Sequence, residues 1–162
     1  MNDHVDEIVQ QWRTERPDLD VSPMHVVGRL SRVTQQVDRR LEENFARHGL
    51  DAGSFDVLAT LRRNGAPFRL SPKELAASAM ITSSAVAQRL NRLEERGLIS
   101  RAKSSVDGRG TEVTLTAKGR ETVDATLPAH LATEHELLAG LTANELHTLA
   151  TLLKKLGTGV GA

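Results

Sequence analysis

The residues that carry chemistry in enzymes are either absent from this chain of 162 residues or unsuitably spaced. Cysteine is missing, which excludes a thiol nucleophile, a disulfide and a metal site built on thiolates. His130 and His135 are five residues apart, about 140° around a helix, so they do not converge on a metal ion. The glycines at 108 and 110 are too close together for a phosphate loop, and the serines follow no nucleophile pattern. An enzyme would need a catalytic pair, and we therefore expect no enzyme, no metal site and no cofactor.

Basic residues are concentrated in the middle of the chain, although the whole chain has 21 basic and 21 acidic residues. Between Arg62 and Arg120, twelve Lys or Arg and five Asp or Glu give a net charge of +7, so the remainder carries −7. A basic centre attracts phosphate locally even when the total charge is zero. Nucleic-acid binding and a merely solvated helix surface are both open interpretations of this pattern.

A helix predicted from Ser83 to Arg96 has two faces of opposite character. One face is an apolar stripe, formed by Val86, Leu90 and Leu93. The opposite face is polar and suits the major groove of DNA, where an amide can read adenine and an arginine can read guanine or bind phosphate. We therefore predict DNA contacts at Ser83, Ser84, Gln88 and Arg92, and a contact with the minor groove or the backbone at Arg109.

Helix caps and turn residues divide the rest of the chain into elements that would position this helix. Aromatic side chains make up only 2% of the residues, which favours packed helices over a β-sandwich. Capping residues and hydrophobic periodicity predict six further helices, at 3–16, 22–48, 52–63, 71–79, 117–138 and 142–156. Alternating β-formers predict two strands, at 98–102 and 111–115, on either side of a polar hairpin tip at 103–110.

This order of elements is that of a winged helix-turn-helix. We predict a mainly α fold with a small β-hairpin, in which a winged helix at 52–116 is flanked by long helices in a single domain of residues 1–162. No apolar run approaches the roughly 20 residues that cross a membrane. The first residues are acidic and amphipathic, unlike a signal peptide. We expect a soluble cytoplasmic protein without membrane contact.

The middle of the chain resembles the MarR family of bacterial transcription regulators. The similar stretch is SPKELAASAMITSSAVAQRLNRLEERGLISRAKSSVDGRGTEVTLTAKGR, and the resemblance extends from about Met24 to the C-terminus. It implies a homodimer joined through dimerisation helices at 1–48 and 117–156. It also implies binding of a pseudopalindromic operator, most often as a repressor. One departure is Asn91, where the family commonly has Asp beside the arginine that matches Arg92.

The N-terminal part is similar to the urate-responsive branch of that family. An additional helix with a tryptophan is followed by RPDLDVSPMHVVGRLSR. The resemblance implies a ligand site made by a tryptophan, an aspartate and two arginines. The matching residues of this chain are Trp12, Asp56, Arg89 and Arg101.

Helical geometry leaves two interpretations open at each of these positions. Arg89 lies about 60° from the centre of the buried stripe, so it must pair with an anionic ligand or with a structural carboxylate. Asp56 projects away from the apolar face of its helix, as a functional or an ordinary capping carboxylate would. Arg101 could pack against the protein or contact phosphate. Trp12 could be a hydrophobic staple or could stack on a ring.

The leading hypothesis is a ligand-responsive DNA-binding regulator. By resemblance it is a homodimeric repressor that is released from its operator by a small anionic or aromatic ligand, such as urate or another purine. The alternative is a winged-helix module that docks an acidic partner protein through the same basic surface. Double-stranded DNA binding would distinguish the two, because only the DNA reader binds random duplexes with a steep dependence on salt.

Overall fold

The computed structural model describes residues 2–103 and 110–160, which fold mainly into helices. The helices in these ranges are α1 His4–Glu15, α2 Met24–Arg47, α3 Ala52–Arg63, α4 Pro72–Ser78, α5 Ser83–Glu95, α6 Ala117–Leu138 and α7 Ala143–Val160. The strands are β1 Arg69–Leu70, β2 Ile99–Lys103 and β3 Thr111–Leu115. This confirms the predicted fold class. None of the helices in the described ranges has the length and apolarity required to span a membrane.

Most helix boundaries follow the capping residues in the sequence. The Asp51 and Thr116 side chains accept hydrogen bonds from the first turns of α3 and α6, and both helices span the predicted residues. The long helix begins at Met24, one residue later than Pro23, its predicted first residue, because residues 22–23 form a turn. The last helix continues to Val160 instead of ending near residue 156.

The chain divides into two compact units, residues 1–40 and 41–162. In the first unit, Arg29 binds the N-terminus of α1, with its Nε 2.8 Å from Asp3 Oδ2 and its Nη2 2.7 Å from Asp6 Oδ1. Asp3 is also the N-cap of α1. A small core lies beside these charges and consists of Val5, Val9 and Val21. The predicted single domain is not tested by this division and stays a prediction.

The core of the second unit lies between α3, α4, α5, α6 and the sheet. Ser71 and Thr82 cap α4 and α5 with their hydroxyl groups, as the sequence predicts. The largest side chains that are fully buried in this core are aliphatic, namely Leu58, Leu61, Leu75, Leu93, Leu98 and Ile99. This packing fixes α5 against α3 and leaves the opposite side of α5 free.

The wing, which is the hairpin of β2 and β3, is part of a three-stranded antiparallel sheet with the order β1-β3-β2. Arg101 of β2 lies opposite Val113 of β3, as expected for a hairpin. The prediction of only two strands was wrong, because β1 pairs with the other edge of β3, with Arg69 opposite Thr114. Two residues are too few to show the alternation that identifies a strand in sequence. Pairing with β3 therefore creates β1.

Gly119, in the first turn of α6, permits a close approach between that helix and the wing. A Cβ atom at this position would lie 2.0 Å from the carbonyl oxygen of Leu98 and 2.8 Å from Leu115 Cδ1. The same carbonyl accepts a hydrogen bond from the backbone N–H of Thr116 at 3.1 Å. The glycine is therefore required by the packing of α6 on the strands that follow α5.

Candidate nucleic-acid interface

The exposed face of α5 is the face that the sequence predicts to meet DNA. Ser83, Ser84, Gln88 and Arg92 are all exposed. The stripe on the other side, Val86, Leu90 and Leu93, is buried. The amphipathic pattern of the helix thus orients it as the helical wheel predicts, with polar hydrogen-bonding groups toward solvent and aliphatic groups toward α3. Their contacts with DNA stay a prediction.

Asp56 of α3 binds the turn that joins α4 to α5. Its Oδ2 accepts hydrogen bonds from the backbone N–H groups of Met80, at 2.7 Å, and Ile81, at 3.0 Å. Met80 itself is 92% exposed, so the turn makes few apolar contacts there. Arg63, further along α3, donates to the carbonyl of Ser78 at the end of α4. These bonds from α3 fix the geometry of the helix-turn-helix.

Arg89 and Arg92 of α5 share one carboxylate, that of Asp51. Arg89 Nε donates to Asp51 Oδ1 at 2.9 Å, and Arg92 Nη1 donates to Asp51 Oδ2 at 3.2 Å. The Arg89 side chain is 27% exposed, whereas that of Arg92 is 64% exposed. The sequence leaves open whether Arg89 pairs with an anionic ligand or with a structural carboxylate, and the structure contains a carboxylate partner, that of Asp51.

The N-terminus of α3 is built to receive the Arg89 guanidinium. A Cβ atom at Gly53 would lie 3.0 Å from Arg89 Nε, so the glycine leaves room for it. Asp51 Oδ1 also accepts the backbone N–H of Ser54 at 2.8 Å. Burial raises the pKa of Asp51, but the hydrogen bonds from Ser54 and Arg89 outweigh it, and the pKa lies below its ordinary value. Asp51 is therefore a carboxylate at neutral pH.

Arg101 of β2 forms an ion pair with Glu94 near the end of α5. Arg101 Nε lies 2.8 Å from Glu94 Oε2, and the backbone N–H of Arg101 donates to Glu94 Oε1 at 3.0 Å. The side-chain hydrogen bond from Arg101 lowers the pKa of Glu94 below its ordinary value. The pair joins the first wing strand to α5, and it leaves 34% of the Arg101 side chain exposed.

The four residues predicted to bind a ligand have different surroundings. Trp12 lies on α1 in the first unit and is 45% exposed. Arg89, Asp56 and Arg101 lie in the second unit, and each has a protein partner of its own. Their participation in a common ligand site therefore stays a prediction.

Arg109, predicted to contact DNA from the wing, lies outside the described residues. The strands that precede and follow it are in register, with Lys103 of β2 opposite Thr111 of β3. The contact between Arg109 and DNA stays a prediction.

Sequence reasoning missed two carboxylates in this region, Asp51 and Glu94. Asp51 precedes a predicted helix and has the type of an N-cap, so its capping role could have been found from the sequence. Its bonds to Arg89 and Arg92 span 38 and 41 residues and depend on how α3 and α5 pack. Glu94 has no comparable signal, because glutamate on a helix surface is usually solvated.

The histidines in the described ranges do not form a metal site, since no group of three potential ligands occurs there. His130 instead stacks on Phe45, with ring centroids 5.3 Å apart, and packs at a tilt against Phe55, with ring centroids 4.8 Å apart. Its Nε2 lies 3.2 Å from Glu134. His130 is thus part of the core between α2, α3 and α6.

Three helices with a tight turn between the second and third, followed by an antiparallel hairpin, define a winged helix-turn-helix. Proteins of this class use the third helix to read DNA. A family model described as the MarR family matches residues 48–110. Over 149 residues the chain is 42% identical to the HTH-type transcriptional regulator PecS of Dickeya dadantii, covering 92% of this chain and 90% of that protein. The chain belongs to the MarR family, whose members are DNA-binding transcriptional regulators.

Two solved structures with this fold show what relatives bind. BpsR of Bordetella bronchiseptica, whose DNA binding is regulated by 6-hydroxynicotinic acid, has a TM-score of 0.77 and 25% identity, covering 86% of this chain and 97% of that one. A mutant MarR of E. coli in complex with operator DNA has a TM-score of 0.73 and 30% identity, covering 85% of this chain and 99% of that one. Both relatives are DNA-binding proteins.

Proposed function

We propose that this protein is a homodimeric repressor that binds a pseudopalindromic operator through α5 and leaves it when a small aromatic anion binds. The observation that carries the proposal is the exposed polar face of α5, with Gln88 and Arg92 on the side opposite the buried stripe. The net charge of +7 between Arg62 and Arg120 supports it, because phosphate contacts supply most of the affinity for any duplex. The E. coli relative bound to operator DNA supports it further.

The test of DNA binding begins with selection from a random-duplex library, which should enrich a sequence with two-fold symmetry. Affinity for the enriched duplex and for a random duplex is then measured at about 50 and 200 mM salt. Gln88→Ala should change discrimination among operator variants by about 1–3 kcal/mol, since an amide reads base edges. Gln36→Ala, the same change on an exposed position of α2, is the control. Equal weakening of all duplexes by Gln88→Ala would contradict base reading.

The wing contributes one further expected contact. Arg109→Ala should weaken binding to all duplexes equally and flatten the salt dependence by about one unit, because it removes one phosphate contact. An unchanged slope would contradict a contact between Arg109 and the backbone.

The same titrations test the alternative, a module that docks an acidic partner protein. Its support is the basic charge of the middle of the chain, which would attract acidic side chains as well as phosphate. Such a module would bind random duplexes weakly and would select no symmetric sequence. Enrichment of a symmetric site would exclude it.

Dimerisation is supported by exposed apolar side chains on the last two helices. They are Leu127, Leu131 and Leu138 on α6, and Leu149, Leu152, Leu153, Leu156 and Val160 on α7. Exposed apolar residues in such numbers are typical of an interface with another chain. We expect a dimer by sedimentation and its dissociation in Leu153→Glu, whereas Met80→Glu, at the exposed turn, should stay dimeric. A monomeric unmodified protein would contradict the proposal.

The ligand proposal concerns a planar anion such as urate. It is supported by the similarity to the urate-responsive branch and by BpsR, which responds to 6-hydroxynicotinic acid. Arg89 would supply the charge, Trp12 would stack on the ring, Arg101 would orient the ligand, and Asp56 would couple its binding to α5. Binding would lower DNA affinity only by the difference in ligand affinity between the free and the DNA-bound protein.

Trp12 is the only tryptophan and tyrosine is absent, so fluorescence reports on one residue. Titration with urate, a neutral purine and a phenolic acid should give saturable quenching by urate and release of the selected duplex. Both effects should be lost in Arg89→Ala and retained in the control Arg120→Ala. Quenching that survives Arg89→Ala, or DNA binding that ignores urate, would refute the purine proposal and leave the DNA-binding proposal intact.

A further inference from the structure

Asp51 has a surplus of hydrogen-bonding capacity for a helix cap. Capping α3 requires one acceptor oxygen, and Oδ1 supplies it to the backbone N–H of Ser54. The neighbouring helices α4 and α5 are capped by the hydroxyl groups of Ser71 and Thr82, which carry no charge. The charge of Asp51 and its second oxygen are therefore not needed for the cap.

Asp51 uses its charge and its second oxygen to bind α5, the helix that faces DNA in the proposed function. Oδ1 holds Arg89, at 2.9 Å, and Oδ2 holds Arg92, at 3.2 Å. We propose that Asp51 is a positioning residue that limits DNA binding, because DNA must take Arg92 away from Asp51 in order to use it. This inference rests on the proposed function, in which the exposed face of α5 meets the duplex.

The two arginines differ in how firmly Asp51 holds them. Arg89 is the less exposed and lies over the first turn of α3, where Gly53 leaves space for its guanidinium. Arg92 is 64% exposed and has the longer contact. An exposed ion pair is weak in water, so a DNA phosphate can replace Asp51 as the partner of Arg92. Arg92 is thus the arginine that DNA can recruit.

Sharing one carboxylate makes the two arginines interdependent. Arg89 neutralises part of the charge of Asp51, and this weakens the attraction between Asp51 and Arg92. If Arg89 no longer contacted Asp51, the attraction between Asp51 and Arg92 would therefore become stronger. Arg92 would then be less available to a DNA phosphate. By reciprocity, removal of Arg92 by DNA strengthens the pair between Arg89 and Asp51.

The decisive variant is Asp51→Asn. Asparagine is as good an N-cap as aspartate, so α3 keeps its cap while the charge is lost. We expect the variant to bind random duplexes about threefold more tightly at low salt, the effect of an exposed ion pair. The salt dependence should also steepen, by at most about 0.9, the increment for one phosphate contact. Asp124→Asn is the matched control, since Asp124 also pairs with an arginine, Arg62, and its substitution changes the net charge by the same amount.

A double-mutant cycle separates Asp51 from a general field effect. Arg89→Ala should weaken DNA binding about threefold in the unmodified protein and should have no effect in the Asp51→Asn background. The gain from Asp51→Asn should in turn disappear when Arg92 is alanine. Thermal melting of each variant confirms that it is folded.

The possible results distinguish the inference from the function on which it rests. DNA binding by Asp51→Asn that equals that of the unmodified protein would refute the role of Asp51 alone. An Arg89→Ala effect that persists in the Asp51→Asn background would refute it as well, because Arg89 would then act directly. If the unmodified protein showed no salt-dependent DNA binding, the proposed function itself would be wrong.

Discussion

Replacement of Gly119 by alanine tests whether the wing is held against α6 by backbone contact. The added Cβ would lie 2.0 Å from the Leu98 carbonyl oxygen and 2.9 Å from its carbonyl carbon. Carbon and carbonyl oxygen atoms in contact are normally about 3.3 Å apart. The first turn of α6 and the backbone at Leu98, just before β2, must therefore separate by more than about 1 Å. Leu115 can rotate away, but the Leu98 backbone cannot move without stretching its 3.1 Å hydrogen bond from Thr116.

The expected cost follows from this overlap. Inserting a methyl group into a packed core costs about 1–3 kcal/mol, and the upper value applies because the obstacle is backbone. Alanine restores at most about 1 kcal/mol through its higher helix propensity. We therefore expect Gly119→Ala to destabilise the protein by about 2 kcal/mol, which lowers the melting temperature of a domain of this size by about 4–8 °C.

Thermal melting followed by circular dichroism measures this difference. Gly140→Ala is the matched control, because a Cβ atom there meets no atom within 4 Å and we expect its melting temperature to stay within about 2 °C. A Gly119→Ala protein that melts with the control would refute the argument. It would mean that α6 and the wing are not in rigid contact.

Three further predictions concern the charges and the ring cluster of the second unit. Asp56→Ala should speed amide hydrogen exchange at Ile81 about tenfold, since a bond to a carboxylate contributes about 1.5 kcal/mol; unchanged exchange would show that the turn is held by other contacts. The pKa of Glu94 lies below its ordinary value of 4.5, so the stability contributed by Glu94 is present above pH 4.5 and is lost as the pH falls through the folded-state pKa. The melting temperatures of the unmodified protein and of Glu94→Gln should therefore converge in acid. A constant difference between them would contradict the pairing with Arg101. His130→Phe should melt at the same temperature as the unmodified protein or higher, because within the described chain the buried Nδ1 of His130 has no hydrogen-bond partner. His130→Ala should melt several degrees lower, since it removes the ring. Equal decreases in melting temperature for the two variants would contradict ring packing.

Much of the local structure could be predicted from the sequence because its causes are local. Thr82 and Ser71 each cap the helix that follows them, and the spacing of Val86 and Leu90 decides which side of α5 is buried. The same periodicity identifies Gln88 as exposed. Interactions within one helical turn are fixed by residue order alone, so the predicted fold class and the orientation of α5 both agree with the structure.

The partners of the charged residues were decided by tertiary structure. The sequence shows that Arg89 needs an anion, but only the packing of α3 against α5 makes Asp51 that anion. Asp56 binds the turn 24 residues further along, for the same reason. Strand β1 exists because β3 offers it an edge. Such contacts join residues that are far apart in the chain, and no periodic pattern in the sequence indicates them. The geometry of these contacts is set by how whole helices and strands pack, and not by the spacing of residues along one helix or strand.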